Sequence, residues 1–209
     1  QQPPPFAANQ IPDPYLTRRL VSSTEKVVYV EPGLFAEATW NPVERFTLTG
    51  GVRFDGELAV MHKAWVNPVL NARLKVLENA SKPLSMLAFK AGAGLYQQPP
   101  DYRSGVLSKE FGNPGLKPEA AVHTVLGVET RFLDLIDFNV QGYFKYLYNQ
   151  TRRVFDAEHG GGSDVNIAGN PGHYESKGTG YAYGAEFLLR VRPTRYFVGW
   201  VAYTLSRYE

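Results

Sequence analysis

The sequence predicts an all-β protein, an antiparallel transmembrane β-barrel segment in which about eight long strands follow one another in an up-and-down meander. Apolar and polar residues alternate through most of the chain after residue 28. The alternating runs are roughly ten to thirteen residues long, whereas strands of soluble sheets usually have about five or six. Short turns also alternate with long polar loops, which is the arrangement of outer-membrane barrels.

The chain divides into two unequal parts. Residues 1–27 are rich in proline, glutamine, serine and threonine and show no sustained period, which predicts an extracellular loop or arm. Residues 28–209 carry the alternating runs and predict a partial transmembrane β-barrel domain.

The first half of that domain predicts two hairpins. Residues 33–40 and 46–55 alternate on either side of a turn near 41–45, where Asn-Pro begins the reversal. Residues 67–76 and the run that ends at Leu95 form the second hairpin around a turn near 79–83.

The second half predicts two more hairpins. Residues 122–132 pair with 138–148 around a short turn near 133–136. Residues 185–191 pair with 197–206 around Arg-Pro-Thr at 192–194. Long polar connections fall near 55–66, 97–119 and 149–179. The sequence therefore predicts short periplasmic turns and long extracellular loops.

One face of the predicted sheet is apolar and the other is charged. Alternation alone does not decide which face is wet, because a soluble barrel turns its apolar face inward and a membrane barrel turns it outward. Aromatic residues gather near the strand ends, which favours girdles at two lipid interfaces. We therefore expect lipid contact for the apolar set Leu48, Val52, Leu70, Leu74, Phe89, Leu126, Val140 and Leu189.

Composition excludes several classes of protein. The 22 basic and 20 acidic residues give a net charge of +2 and are interspersed, so nucleic acid is not an expected partner. No cysteine is present, which excludes disulfides and thiolate metal sites. Apolar runs are only a few residues long, so no transmembrane helix is expected, and the first residues do not have the pattern of a signal peptide.

Several motifs resemble one family. The loop 112–119 reads GNPGLKPE and leads into a strand that reads HTVLGVE at 123–129. Residues 50–55 read GGVRFD, and residues 183–186 read YGAE. Together these segments resemble the barrel of a TonB-dependent outer-membrane receptor or transporter, and the resemblance runs from about residue 28 to residue 207.

The resemblance implies a barrel of about 22 strands closed around a plug. Because this chain has only about eight strands and no plug-like sequence, we expect it to be a piece of the barrel. The implied location is the bacterial outer membrane. The implied partners are outer-membrane lipid, the remainder of the barrel and the plug, and a TonB-type energy-coupling protein that acts through the plug. The implied function is binding and import of a scarce nutrient such as a metal chelate, cobalamin or a carbohydrate.

A second function is compatible with the same pattern. Eight strands can close a small barrel, so the chain could be a non-transport surface protein or adhesin that binds a partner through its long loops. Closure would crowd many basic side chains into a narrow interior, which is unfavourable. We therefore predict an open, curved sheet in which residues 28–40 and 196–208 do not pair with each other.

Candidate chemistry is sparse. The four histidines have no metal-ligand spacing, and the glycine-rich segment 159–164 lacks the Lys-Ser/Thr ending of a phosphate loop, so neither an enzyme nor a metal or cofactor site is expected. Loop packing is the alternative to ligand binding for each residue at the mouth. As a set, the predicted ligand-binding residues at the extracellular mouth are Tyr96, Gln97, Gln98, Tyr102, Arg103 and Asn113.

Overall fold

Eight antiparallel strands form a single sheet in the computed structural model. The structure describes residues 28–79, 83–101, 106–107, 112–154 and 174–209. The strands are β1 (Gly33–Val43), β2 (Phe46–Glu57), β3 (Lys63–Glu78), β4 (Leu84–Gln98), β5 (Glu119–Phe132), β6 (Ile136–Arg153), β7 (Tyr174–Val191) and β8 (Gly199–Tyr208). No helix in this described part of the chain is long and apolar enough to cross a membrane.

The strands are ordered in the sheet as they are in the sequence, from β1 to β8. Each pairs only with its neighbours along the chain, so the predicted up-and-down meander is confirmed. Within the described ranges β1 and β8 have one partner strand each and do not pair with each other. The prediction of an open sheet is therefore confirmed as well, and two edges of unpaired backbone groups remain.

The strand ends differ from the prediction, mostly at the long loops. β3 begins at Lys63, so the predicted loop 55–66 shrinks to residues 58–62. β4 runs to Gln98 and β5 begins at Glu119, so the predicted loop 97–119 loses its first two residues and its last.

The predicted loop 149–179 is wrong at both ends, because residues 149–153 belong to β6 and residues 174–179 to β7. Polar residues continue the ladder there, with Arg152 opposite Glu175 and forming an ion pair with it. Gly178 lies beside a register shift, where an added Cβ would meet the carbonyl oxygen of Gln150 at 2.8 Å. Residues 155–173, like the predicted arm 1–27, lie outside the described part.

Two short turns also differ in detail. The predicted turn at 41–45 is tighter, because β1 continues through Asn41 and Pro42 to Val43 with a bulge after Trp40. Proline is tolerated there because a bulge removes the need for its missing N–H. The last turn is longer than predicted and β8 begins at Gly199, since the Thr194 hydroxyl accepts the backbone N–H of Phe197 at 2.9 Å and holds residues 194–197 in a turn.

The register separates two faces. On the apolar face, Leu126 lies opposite Ala91 on β4 and Gly142 on β6. On the charged face, Gln141 lies opposite Gly127 on β5 and Glu186 on β7. All eight residues of the predicted lipid-facing set lie on the apolar face, and the side chain of Leu126 is 70% exposed in this chain. The predicted division of the strands into two faces is confirmed.

Candidate functional site

The two ends of the sheet differ in their connections. We call the end with residues 58–62, 99–118 and 154–173 the loop side, and the end with residues 44–45, 79–83, 133–135 and 192–198 the turn side. Charged side chains of the charged face occur towards both sides, but their bonding differs.

Towards the turn side, carboxylates bridge pairs of bases. Glu129 on β5 binds Arg73 of β3 (Nε to Oε2, 2.9 Å) and Lys90 of β4 (Nζ to Oε1, 3.4 Å). Asp137 on β6 binds Arg131 of β5 at 2.8 Å and Arg192 at 3.1 Å. Each carboxylate thereby links neighbouring strands, and its charge is neutralised within the sheet.

Towards the loop side, the charged face holds a cavity of about 380 Å³. It lies between the lead-in to β1, the end of β2, the start of β3 and the end of β4. The lining residues are Glu31, Pro32, Arg53, Asp55, Gly56, Trp65, Asn67, Val69, Tyr96, Gln97, Gln98 and Pro99. Three of the six residues predicted at the mouth, Tyr96, Gln97 and Gln98, therefore line one cavity.

A fixed polar cluster forms one wall of the cavity. The Arg53 Nε donates to both carboxylate oxygens of Asp55, at 2.8 and 2.9 Å, and the Asn67 Nδ2 donates to the Asp55 Oδ2 at 3.0 Å. An ionised carboxylate only accepts hydrogen bonds, so this contact fixes which end of the Asn67 amide faces Asp55. The Asn67 carbonyl oxygen is consequently turned away from the carboxylate.

Two buried polar atoms at this wall have no hydrogen-bond partner among the described residues. They are the Oδ1 of Asn67 and the indole Nε1 of Trp65, whose residues are 6% and 7% exposed. Buried polar groups are nearly always paired, because an unpaired one costs about 1–3 kcal/mol. Trp65 and Asn67 thus carry one donor and one acceptor that the described residues leave unpaired, and both atoms are closed to solvent.

Tyr96 continues the cavity wall on β4. A Cβ added at Gly94 would meet the Tyr96 ring at 3.0 Å and the Val69 side chain at 3.1 Å, so the ring lies directly over the glycine. The His123 ring is 5.9 Å from the Tyr96 ring, centroid to centroid, and its Nε2 is a further buried atom with no described partner. The glycine and these neighbours hold the tyrosine ring in place.

The loops beside the cavity pack against each other. Met61, Val106, Leu107 and Leu116 form a small buried cluster, with Val60 and Tyr174 packed against it. The buried carboxylate of Glu57 accepts backbone N–H groups of residues 59, 60 and 61 and so fixes the loop 58–62. The Lys63 Nζ donates to the carbonyl oxygen of Gly115 at 2.8 Å and ties the loop 112–118 to β3.

The predicted mouth residues take different positions. Tyr96 and Gln98 lie on the charged face, opposite Ala121 and Glu119, whereas Gln97 lies opposite Ala120, one position out of phase with them. Asn113 is engaged inside the loop, since its amide donates to the carbonyl oxygen of Tyr174 and accepts the N–H of Gly115, both at 2.8 Å. Tyr102 and Arg103 lie outside the described residues.

Trp65 and Asn67 line the site but are not among the residues predicted for it. The sequence predicts that the third strand begins at Asn67 and that Trp65 lies in the preceding loop. The signal was available, because Trp65, Asn67 and Val69 continue the period-2 pattern of β3 towards its start. In the described residues no group of three or more histidine, aspartate or glutamate side chains is positioned to hold a metal ion.

A larger hollow, of about 620 Å³, lies mainly over small residues of the sheet such as Ala72, Ala91 and Gly142. Those residues belong to the apolar face and carry no hydrogen-bonding side chain. We interpret this hollow as part of the lipid-facing surface and centre the candidate site on the smaller polar cavity.

Comparison with known proteins identifies the family. A family model described as TonB dependent receptor-like, beta-barrel, matches residues 2–209. No curated protein sequence matches. Among solved structures, the FrpB iron transporter from Neisseria meningitidis (F3-3 variant) is similar with a TM-score of 0.59 and 17% identity, over 85% of this chain and 25% of that one.

The copper transporter OprC is similar with a TM-score of 0.50 and 20% identity, over 85% of this chain and 28% of that one. The chain thus spans little more than a quarter of the length of these structures, and at such identities they support the fold alone. The family consists of outer-membrane receptors and transporters and not of enzymes. With its open, eight-stranded sheet, the chain belongs to the TonB-dependent receptor family and forms a segment of that family's barrel.

Proposed function

We propose that this chain is part of an outer-membrane receptor that binds a scarce nutrient and imports it with energy from a TonB-type coupling protein. The observation that carries the proposal is the polar cavity on the charged face at the loop side. In a barrel whose apolar face meets lipid, the charged face lines the interior, where a nutrient must pass. The family match over residues 2–209 supports transport as the class of function, since that family consists of receptors and transporters.

The same geometry supports an orientation. Outer-membrane barrels have short periplasmic turns and longer extracellular loops. The loop side then faces outward and the cavity lies at the mouth. The plug would occupy the interior, and the coupling protein would act through it from the periplasm.

The open edges of β1 and β8 favour this function over a small closed barrel or adhesin. Each unpaired backbone group in hydrocarbon costs several kcal/mol. Within the described residues those edges do not pair with each other, so strands from the remainder of a wider barrel would cover them.

Uptake by living cells tests the proposal. The gene that encodes the complete receptor would be deleted, and uptake of radiolabelled ferric citrate, cyanocobalamin and a neutral oligosaccharide would be measured at limiting concentration. We expect loss of uptake of one class, and recovery when the complete gene is returned. The matched control is a strain that lacks the coupling protein, which should show the same loss. Unchanged uptake of all three classes, or uptake independent of the coupling protein, would contradict the proposal.

A further inference from the structure

Arg53 presents an unused edge of its guanidinium group at the cavity on the charged face. Its Nε donates to both carboxylate oxygens of Asp55, at 2.8 and 2.9 Å, and neither terminal Nη has a hydrogen-bond partner among the described residues. The Arg53 side chain is 60% exposed and lines the cavity. The Nη end of this side chain is therefore open to a ligand.

Neighbouring residues hold the Arg53 guanidinium in place. Asp55 is itself fixed, because its Oδ2 also accepts the amide of Asn67 at 3.0 Å. A Cβ added at Gly33 on β1 would lie 3.1 Å from the Arg53 Nη2 and 2.9 Å from the Asp55 Oδ1, so the absence of a side chain at Gly33 makes room for the ion pair. A side chain that is held before binding loses little freedom when a ligand arrives.

A carboxylate is a group that this arrangement fits. The guanidinium is planar and carries five N–H donors, of which the Nε–H is used by Asp55. The two Nη groups at its end can donate to both oxygens of a second carboxylate, in the bidentate geometry that arginine favours. That carboxylate would touch Arg53 directly, whereas Asp55 contacts the Nε edge, so attraction at the shorter distance exceeds repulsion at the longer one.

Acidic neighbours limit the charge that the ligand can carry. Glu31 is exposed and lines the cavity, so the described lining has two acids, Glu31 and Asp55, and one base, Arg53. A doubly charged phosphate or a free polycarboxylate would be repelled more strongly than a single carboxylate. A bound metal cation offsets the charge of a polycarboxylate and so reconciles carboxylate binding with an acidic rim.

We propose that this cavity binds a carboxylate chelate of a metal ion, and that Arg53 binds one carboxylate of the chelate. The inference rests on the proposed function and names the class of nutrient for the same cavity. The Tyr96 hydroxyl can donate to a further oxygen of the chelate, since this residue lines the cavity and is 48% exposed. The cavity volume of about 380 Å³ lies in the range of small-molecule sites, about 300–1,000 Å³.

The test is calorimetric titration of the purified, complete receptor in detergent. The probes are ferric citrate and ferric malate, with sodium citrate, inorganic phosphate, cyanocobalamin and maltohexaose as comparators. We expect at least one ferric chelate to bind, and to bind more tightly than sodium citrate or phosphate. Arg53→Gln should weaken that binding about tenfold to a hundredfold, the usual effect of hydrogen bonds to a charged group.

Three further variants keep the test decisive. Arg53→Lys keeps a cation beside Asp55, and should weaken binding about threefold to tenfold because lysine has no planar fork for a carboxylate. Glu31→Gln should have the opposite sign and strengthen binding about twofold, since it removes an exposed negative charge from the rim. Arg131→Lys is the matched control, because the Arg131 Nε also donates to a carboxylate, that of Asp137 at 2.8 Å, but lies near the turn side. Its affinity should stay within about twofold of the wild type.

Three outcomes would overturn the inference. The first is absence of binding to both ferric chelates. If deletion of the gene still abolishes uptake of cyanocobalamin or the oligosaccharide, the proposed function then stands and only the ligand class is wrong, whereas unchanged uptake of all three classes ends both proposals. The second is binding of sodium citrate or phosphate that is as tight as that of the ferric chelates, which removes the metal chelate as the ligand. The third is chelate binding that neither Arg53→Gln nor Arg53→Lys weakens, which removes Arg53 as the binding residue.

Discussion

Polar and charged side chains of the charged face are bonded differently on the turn side and on the loop side of the sheet. On the turn side, Glu129 and Asp137 each bind two basic side chains from other segments, so most of the polar capacity is used within the sheet. On the loop side, buried atoms of Trp65, Asn67 and His123 have no described partner. The one comparable atom close to the turn side is the Oδ1 of Asn139.

We interpret the turn side of the charged face as structural scaffold and the loop side as the candidate binding site. A polar network whose members are all paired adds rigidity and offers a ligand little, whereas the loop side holds a cavity lined by polar and aromatic side chains. Substitutions on the turn side should therefore change stability, and substitutions on the loop side should change binding. The following predictions test that division, beginning with the face assignment on which it depends.

Leu126→Arg should have the largest effect. Leu126 lies in the middle of β5 on the apolar face, where an arginine near the bilayer midplane costs about 2–4 kcal/mol. We expect a marked loss of folded receptor, measured as the fraction that resists heat-induced unfolding on a gel. Gln141→Arg is the control, because Gln141 lies on the charged face and already donates to Glu186 at 2.6 Å. Equal losses in the two variants would show that the assignment of the faces is wrong.

Glu129→Gln should lower the free energy of unfolding by about 1–2 kcal/mol. The change leaves Arg73 and Lys90 without their shared carboxylate, and their side chains, 35% and 24% exposed, are screened only in part. Urea titration of the receptor in lipid vesicles measures the change. Glu186→Gln is the matched control, since the described contacts of Glu186 include a hydrogen bond from Gln141 but no ion pair. A similar loss in both would mean that the bridged ion pairs add nothing.

Gly94→Ala should weaken ligand uptake about threefold to tenfold, in line with the loss of an aromatic contact, and should change stability little. The new methyl group would press on the Tyr96 ring and on Val69. Gly92→Ala is the control on the same strand and face, because its methyl group would meet the Asn71 Oδ1, the end of a flexible side chain that can move aside. Rates of uptake at limiting substrate measure both. Equal effects would exclude a role for the position of the tyrosine ring.

Lys63→Met should change global stability by only about 1 kcal/mol, because the two hydrogen bonds that are lost, from its Nζ to the carbonyl oxygens of Gly115 and Leu116, join partly exposed groups of a loop. It should still speed amide exchange in the loop 112–118, which Lys63 ties to β3. Hydrogen exchange followed by mass spectrometry reports on that loop. Lys75→Met removes an ion pair with Glu78 near the turn side and should leave the loop unchanged. Unaltered exchange in the lysine 63 variant would show that other contacts hold the loop.

The sequence by itself determined the strands, their order and their two faces. A period of two in side-chain direction is a local property of extended backbone, so the alternating run around Leu126 specified both β5 and the face of every residue in it. Short turns left no alternative to antiparallel pairing within each predicted hairpin. The geometry of a meander therefore followed from local patterns, and so did the choice of the loop side as the place to look for a ligand.

Only the tertiary structure decided where the strands end and which polar groups are left free. Backbone pairing does not depend on apolar alternation, so β6 and β7 continue through polar residues that resemble a loop in the sequence. Arg73 reaches Glu129 from two strands away, and the fully buried Ala88 beside Glu129 leaves room for that contact. The Asn113 amide donates to the carbonyl oxygen of Tyr174, 61 residues further along the chain, whereas the buried carbonyl oxygen of Asn67 has no partner among the described residues. Such outcomes depend on register and side-chain volume across strands, which a single sequence does not display.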